Sequence, residues 1–236
     1  MILACHQPQY LAWTGYYHKM GRADVFVYLD RVQYKKREYQ NRNKIKSPAG
    51  TLWLTVPVLT KGLRTQAVGD ARTDEARDWR RRHWQTLSHH YARSPFFAEH
   101  AEYFRELYAR PWPRLASLCL ELDQYLRSRM GVQTPVFLES RLKPSGRATE
   151  RILSLCRILG ADAYLSGTGG RGYLDEAAFA RAGVRLFYQE FRAPVYPQPF
   201  GPFLPGLSAA DLLFNAGARG ARALLGADCP GVEAML

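Results

Sequence analysis

Ile2-Leu-Ala-Cys-His6-Gln-Pro-Gln-Tyr10 and, after a short intervening segment, Asp24-Val-Phe-Val-Tyr-Leu-Asp30 decide the fold. Apolar residues at Ile2 and Leu3, and again at Val25, Phe26, Val27 and Leu29, form two short buried strands. His6 and Asp30 then stand at the carboxyl ends of those strands, where open α/β sheets gather their ligands. Between the strands, Gly15 to Met20 is expected to be a short helix.

Working outward, the chain divides into three stretches. From Asp74 to about Gly131 the pattern is helical: Trp79, His83, Leu87 and Tyr91 recur at helical spacing, Phe96 to Tyr108 follows Ser94-Pro95, and Trp112 to Met130 carries Leu115, Leu118, Leu122 and Leu126. This middle region is expected to be an all-helical insertion, 74–131, that lids or buttresses the sheet. From Thr134 the α/β rhythm returns. Val136 to Leu138 is a strand, Thr149 to Leu159 a helix stopped by Gly160, Tyr164-Leu165 a strand, Tyr173 to Ala182 helical and Val184 to Tyr188 a strand. Strands separated by single helices predict parallel pairing through right-handed crossovers. The expected fold is a single α/β domain over 1–236, a Rossmann-like, mostly parallel sheet with a helical insertion in the middle of the chain.

Composition agrees with a folded core: 236 residues are 47% hydrophobic. No apolar stretch approaches the roughly 20 residues needed to span a bilayer, and the N-terminus lacks a basic region followed by an apolar one, so a soluble cytoplasmic protein is expected. Cys5, Cys119, Cys156 and Cys229 are scattered, without CxxC or zinc-ligand spacing, which argues against a disulfide framework or a structural metal.

The net charge of +12 implies an anionic partner. Between residues 31 and 46, Arg31, Lys35, Lys36, Arg37, Arg42, Lys44 and Lys46 face only Glu38 in sign, and they interleave with Gln33, Tyr34, Tyr39, Gln40, Asn41 and Asn43. Guanidinium forks, amide donors and aromatic faces together suit a phosphate-bearing ligand. Arg77, Arg80, Arg81 and Arg82 form a second cluster, expected to be a solvated face.

Three constellations carry chemistry. Ser166-Gly167-Thr168-Gly169-Gly170-Arg171-Gly172 follows a strand and precedes a helical segment, so its glycines let backbone amides approach a phosphate; a tight turn without a ligand is the alternative. Ser145-Gly-Arg147-Ala-Thr149 opens the next amphipathic helix, with Ser145 or Thr149 as its cap, and Arg147 with the helix end as a second anion site. His6 is the candidate general base, oriented by Asp30. No serine or cysteine has the context of a covalent nucleophile.

These residues also resemble a known family. His6-Gln-Pro-Gln-Tyr10, Trp13, Gly15-Tyr16, Lys19, Asp24-Val-Phe, Asn41-Arg-Asn-Lys-Ile-Lys46 and Trp53-Leu-Thr-Val-Pro-Val58 resemble the opening of the WbqC-like proteins. Leu159-Gly-Ala-Asp-Ala-Tyr-Leu-Ser-Gly-Thr-Gly-Gly170, Pro194-Val-Tyr-Pro-Gln198 and Leu207-Ser-Ala-Ala-Asp-Leu-Leu-Phe-Asn-Ala-Gly217 extend the resemblance over nearly the whole chain. It implies a place in O-antigen or other surface-polysaccharide biosynthesis, with glycine transfer onto a sugar. Ala12 stands where a proline is usual before the tryptophan, and Ala193 where a histidine often precedes Pro-Val-Tyr. More loosely, the first strand, the Gly15 helix and the second strand resemble the start of HxGH nucleotidyltransferases and pantothenate synthetase, with Gly15-Tyr16 in place of Gly-His. That resemblance implies ATP and an acyl-adenylate.

The expected function is therefore a transferase forming an amide, by glycyl or acyl transfer, on a nucleotide-linked amino sugar in polysaccharide or secondary-metabolite assembly. His6 and Asp30 are its catalytic candidates. Gln7, Tyr10, Tyr16, Lys19, Gln33, Arg37, Asn41, Arg42, Asn43 and Lys44 are candidates for binding an anionic substrate, and Ser166 to Gly170 form a phosphate loop. The alternatives are an ATP-dependent nucleotidyltransferase or acyl-adenylate ligase, and a tRNA-binding or noncatalytic module. The small-molecule reading requires the two polar segments to meet in one pocket, whereas an RNA-binding module would line an open face.

Overall fold

The computed structural model of the chain describes residues 1–63 and 65–227, so Cys229 lies outside the described residues. In order the elements are β1 (Ile2–His6), α1 (Thr14–Gly21), β2 (Val25–Tyr28), β3 (Arg42–Ser47), β4 (Gly50–Thr55), α2 (Trp79–Tyr91), α3 (Phe97–Ala109), α4 (Leu115–Arg129), β5 (Val136–Leu138), α5 (Glu139–Leu142), α6 (Ala148–Leu159), β6 (Ala163–Ser166), α7 (Glu176–Arg181), β7 (Arg185–Tyr188) and α8 (Ala209–Ala227). Five strands form one sheet in the order β5-β2-β1-β6-β7. Every neighbouring pair in it is parallel.

The period-2 alternation of strand side chains sorts the core into two layers. Leu3, Cys5, Val25 and Val27 face Ile152, Leu155 and Cys156 of α6 and Phe179 of α7. Ala4, Phe26, Tyr28 and Leu165 face the other way, onto Tyr16 and Met20 of α1, Leu118 and Leu122 of α4, and Leu213 and Phe214 of α8. The sheet is thus covered on both faces, as the Rossmann-like expectation requires. The 74–131 stretch folds into α2, α3 and α4, and its apolar stripes join the same core as the sheet residues.

Gly160 closes α6 in the left-handed conformation, φ 72°. The expected caps of that helix are not formed. Arg147 occupies the cap position without a side-chain bond. Ser145 is engaged with the Ser154 hydroxyl, 3.0 Å from its amide, and Thr149 Oγ1 accepts the Asp175 amide at 3.0 Å. Both hydroxyl residues tie the loops around α6 together instead of closing its first turn.

The hairpin of β3 and β4, the short helix α5 and the helix α8 have no counterpart in the sequence pattern. The basic run 42–47 is the first strand of an antiparallel hairpin, with Lys44 opposite Trp53 and Ile45 opposite Leu52. Helix α8 kinks at Gly217, φ 68°, and packs against α1, α3 and α4. Among the described residues, no helix is long and apolar enough to cross a membrane.

Candidate functional site

The chain leaves β1 for β2 on one side and later returns to place β6 on the other. The sheet therefore reverses its winding between β1 and β6, which opens a crevice at their carboxyl ends. His6 ends β1 and Ser166 ends β6. Over this edge lies a cleft of about 580 Å³ lined by His6, Gln7, Gln9, Trp13, Lys35, Glu38, Tyr39, Gln40, Lys44, Gly169 and Gly206. The amino-terminal motif, the basic segment and the glycine loop meet in that one concavity.

His6 Nδ1 lies 3.2 Å from the Gln7 carbonyl. A carbonyl only accepts, so Nδ1 carries the hydrogen and Nε2 holds the lone pair of the neutral ring. The edge of Tyr16 packs on the imidazole with centroids 5.1 Å apart. Burial, reinforced by the nearby charge of Lys19, drives the His6 pKa down to about 3. At neutral pH the ring is uncharged. Asp30 does not orient it: its carboxylate accepts the Ser140 amide at 2.9 Å, at the turn into α5. The geometric reason is the register, which sets Tyr28, not Asp30, beside His6 and carries Asp30 past the end of β2 toward β5.

Lys19 is 3% exposed, and its Nζ donates to the Cys5 carbonyl at 2.8 Å. Among the described residues no carboxylate pairs with it. Burial pulls its pKa to about 8, partly opposed by the Cys5 thiol. An ammonium has three donors, and the carbonyl takes one. A Cβ placed on Gly167 would stand 3.8 Å from Nζ, so the glycine loop passes directly over this charge. The Cys5 thiol itself is buried and its pKa is pushed up by desolvation, which makes it unreactive.

The loop after β6 is a 3-10 turn, Thr168–Gly172. The Gly170 amide returns to the Gly167 carbonyl at 2.9 Å, leaving the opening amides of Thr168 and Gly169 without a partner inside the turn. Gly170 is fixed by close approach: a Cβ there would meet Ser166 Oγ at 2.0 Å. Ser166 Oγ donates to the Gly167 carbonyl at 3.0 Å and shapes the loop from within.

The basic segment is divided by the pleat of its hairpin. Asn43 is fully buried and donates to the Leu11 carbonyl at 2.7 Å, while Asn41 donates to the Val56 carbonyl at 2.8 Å. Both asparagines clamp loops and do not meet the cleft. Lys46 is also interior, with Nζ 3.2 Å from the Gln198 amide oxygen and 2.5 Å from the Pro202 carbonyl. Tyr10 is a core residue, its hydroxyl bonded to His83 Nδ1 at 2.8 Å and to Tyr108. Tyr16 lies beneath His6. Gln33 and Arg37 are exposed and do not line the cleft; Arg37 sits in a turn at φ 65°. Arg42 stacks over Trp53 at 4.1 Å from the ring centroid. The second arginine cluster lies just before and at the start of α2, with Arg77, Arg80 and Arg81 paired to Asp74, Glu75 and Asp78.

The cleft also holds Gln9, not singled out within its motif, and Lys35, Tyr39 and Gln40, which belong to the phosphate-suited basic segment but are not among the substrate-binding candidates. Gln40 is the hinge of the site, its Nε2 donating to Gln7 Oε1 at 2.8 Å and its Oε1 accepting the Lys35 amide at 2.7 Å. Gln9 is only 8% exposed, lines the cleft, and its Oε1 has no partner within the protein. A buried amide oxygen left unpaired at a cavity wall is a group awaiting a ligand donor. Its signal was present in the His6-Gln-Pro-Gln motif, where two glutamines bracket a proline.

No solved structure matches the chain. An uncharacterized protein of Mycobacterium tuberculosis is 34% identical over 218 residues, covering 92% of this chain and 94% of that protein. The family model of the WbqC-like proteins matches residues 7–223, a span holding the cleft, the hairpin and the glycine loop. On that match, together with the full-length relative, the chain belongs to the WbqC-like protein family.

Proposed function

We propose that the chain is a transferase that forms an amide, by glycyl or acyl transfer, on a nucleotide-linked amino sugar in polysaccharide or secondary-metabolite assembly. The supporting observation is the placement, at the winding reversal of the sheet, of a neutral His6 in the cleft with Lys35 and Lys44, and near it a buried, carboxylate-free Lys19 held by the Cys5 carbonyl next to the glycine loop. An uncharged imidazole beside a fixed cation suits a reaction in which a proton leaves a nucleophile while negative charge gathers on a leaving group.

In this reading the amine of the acceptor sugar attacks the acyl carbonyl, and the C–N bond forms as the bond to the leaving oxygen breaks. His6 Nε2 takes the proton from the attacking nitrogen, with the Gln7 carbonyl holding the ring in the required tautomer. Lys19 and the opening amides of the glycine loop hold the anionic end of the substrate or leaving group. An adenylate made with ATP releases AMP as such an anion, whereas an aminoacyl ester releases an alcohol whose oxygen takes back the proton that His6 removed from the amine. A bound anion also offsets the charge of Lys19, one of the two causes that depress His6, so substrate binding raises the basicity of the base.

His6→Ala is expected to fold like the wild type and to lower turnover by about 10² to 10⁴ in an acyl-transfer assay on amino-sugar nucleotides. Unchanged turnover per folded molecule would remove His6 from the chemistry and this reading with it.

A further inference from the structure

The hairpin carries a second recognition surface beside the cleft. Alternation along β3 and β4 sends Asn43, Ile45 and Leu54 inward and leaves Arg42, Lys44 and Trp53 on the outer face. Trp53 and Tyr39 are each 36% exposed, and their rings lie 5.7 Å apart at 46°. The Arg42 guanidinium and Lys44 Nζ sit 4.1 and 5.2 Å from the Trp53 ring centroid. Among the described residues, no carboxylate forms an ion pair with Lys35, Arg42 or Lys44. Tyr39, Lys44 and Lys35 also line the cleft that contains His6, so the platform and the reactive edge are continuous.

We propose that this outer face is a nucleotide subsite, in which Trp53 and Tyr39 hold the base and Arg42, Lys44 and Lys35 hold a diphosphate. The sugar beyond the diphosphate then points at His6. The proposal rests on the reading of the cleft as the site of a nucleotide-linked substrate, and it names the part of the chain that recognises the nucleotide. Aromatic faces accept any base by stacking, and neighbouring cations supply the charge that phosphates require. The platform is short. Lys46, next along the same row, is 1% exposed and held by Gln198, Gly201 and Pro202, so the row ends after two hairpin cations. A run of this length fits one diphosphate and not an extended RNA strand.

Calorimetric titration of the full chain tests this, with uridine, thymidine, guanosine, cytidine and adenosine diphosphates and with inorganic pyrophosphate. At least one nucleoside diphosphate is expected to bind. Trp53→Ala should weaken it by about tenfold or more while leaving pyrophosphate affinity unchanged, and Trp53→Phe should restore most of the loss. Lys44→Ala should weaken both ligands, and Tyr39→Ala gives an independent check on the stack at an exposed position. Nucleotide affinity indifferent to Trp53→Ala and Tyr39→Ala would overturn the proposal, as would binding of single-stranded RNA with no nucleoside diphosphate bound. Because the readout is binding, its failure is separate from failure of the transferase reading, which is decided by His6→Ala turnover.

Discussion

At Lys19 the fold carries an ammonium with no carboxylate beside it, a destabilising arrangement that folding alone gives no reason to keep. Its pKa in the folded chain, about 8, lies below the ordinary 10.5, so between those values the unfolded chain binds the proton more tightly and native stability rises with pH. Below pH 8 the cost is present in full. Lys19→Met is therefore expected to melt no lower than the wild type at pH 7, with any advantage shrinking as pH climbs toward 10.5, while ligand-induced stabilisation is lost. A lower melting temperature at pH 7 would mean that Lys19 serves the core. Asp123 behaves in the opposite sense. Burial lifts its carboxyl to about 7 although Tyr28 donates a hydrogen bond to it, so the folded chain holds this proton more tightly and stability falls as pH rises from about 3.8 to 7. Asp123→Asn should flatten that part of the pH profile in urea unfolding and be most stabilising above pH 7. A profile unchanged in the variant would locate the pH dependence elsewhere.

At the scale of elements, the hairpin and the glycine loop hold the site in shape. Asn43→Ala removes the donor to the buried Leu11 carbonyl and the acceptor for the Lys44 amide, and should cost about 1–3 kcal/mol in chemical denaturation. Arg42→Ala, on the exposed side of the same strand, should cost far less stability and reduce ligand affinity. Gly170→Ala would drive a methyl group into Ser166 Oγ, so the turn must shift, with an expected loss of about 1–3 kcal/mol and weaker anion binding. The strands β1, β2, β6 and β7 were legible as short apolar runs, as expected of a parallel sheet covered on both faces, and the helices α2 to α4 because their apolar residues recur at helical spacing. The hairpin was not. Its inward positions hold Asn43 and its outward row ends in the buried Lys46, so the pleat is written in polar residues and looks like a solvated basic run. For the same reason the sequence pattern presents Asn41, Asn43 and Tyr10 as ligand contacts, whereas hydrogen bonds to distant carbonyls, a histidine and a hydroxyl, which no local pattern reveals, make them structural. The edge position of His6 and of the glycine loop was legible, since strand ends follow from strand positions. The partner of His6 was not, because whether Asp30 or the Gln7 carbonyl reaches the ring depends on parallel register.

Across the whole molecule, the charge of +12 resolves into several surfaces with different roles. The arginines before and at the start of α2 are paired with acidic neighbours, Lys46 is internal, Lys35 and Lys44 line one cleft, Arg42 stacks on Trp53 beside Lys44, and Lys19 lies buried next to the glycine loop. A site with so few cations should respond weakly to salt, whereas an RNA-binding face would lose affinity with a log–log slope of about −0.7 per phosphate contacted. The helices α2, α3 and α4 supply none of the cleft's lining and share the core of the sheet, which suits a buttress. The most direct test of a small-anion site at the winding reversal is the thermal shift produced by a panel of nucleotide sugars on the wild type and on Lys19→Met, since a ligand bound to the native state raises stability in proportion to the logarithm of its concentration over Kd. The account predicts that at least one nucleotide sugar raises the wild-type melting temperature and that Lys19→Met, though folded, shows no shift. An equal shift in both proteins would contradict it, because the ligand would then be bound away from the edge where β1 and β6 part.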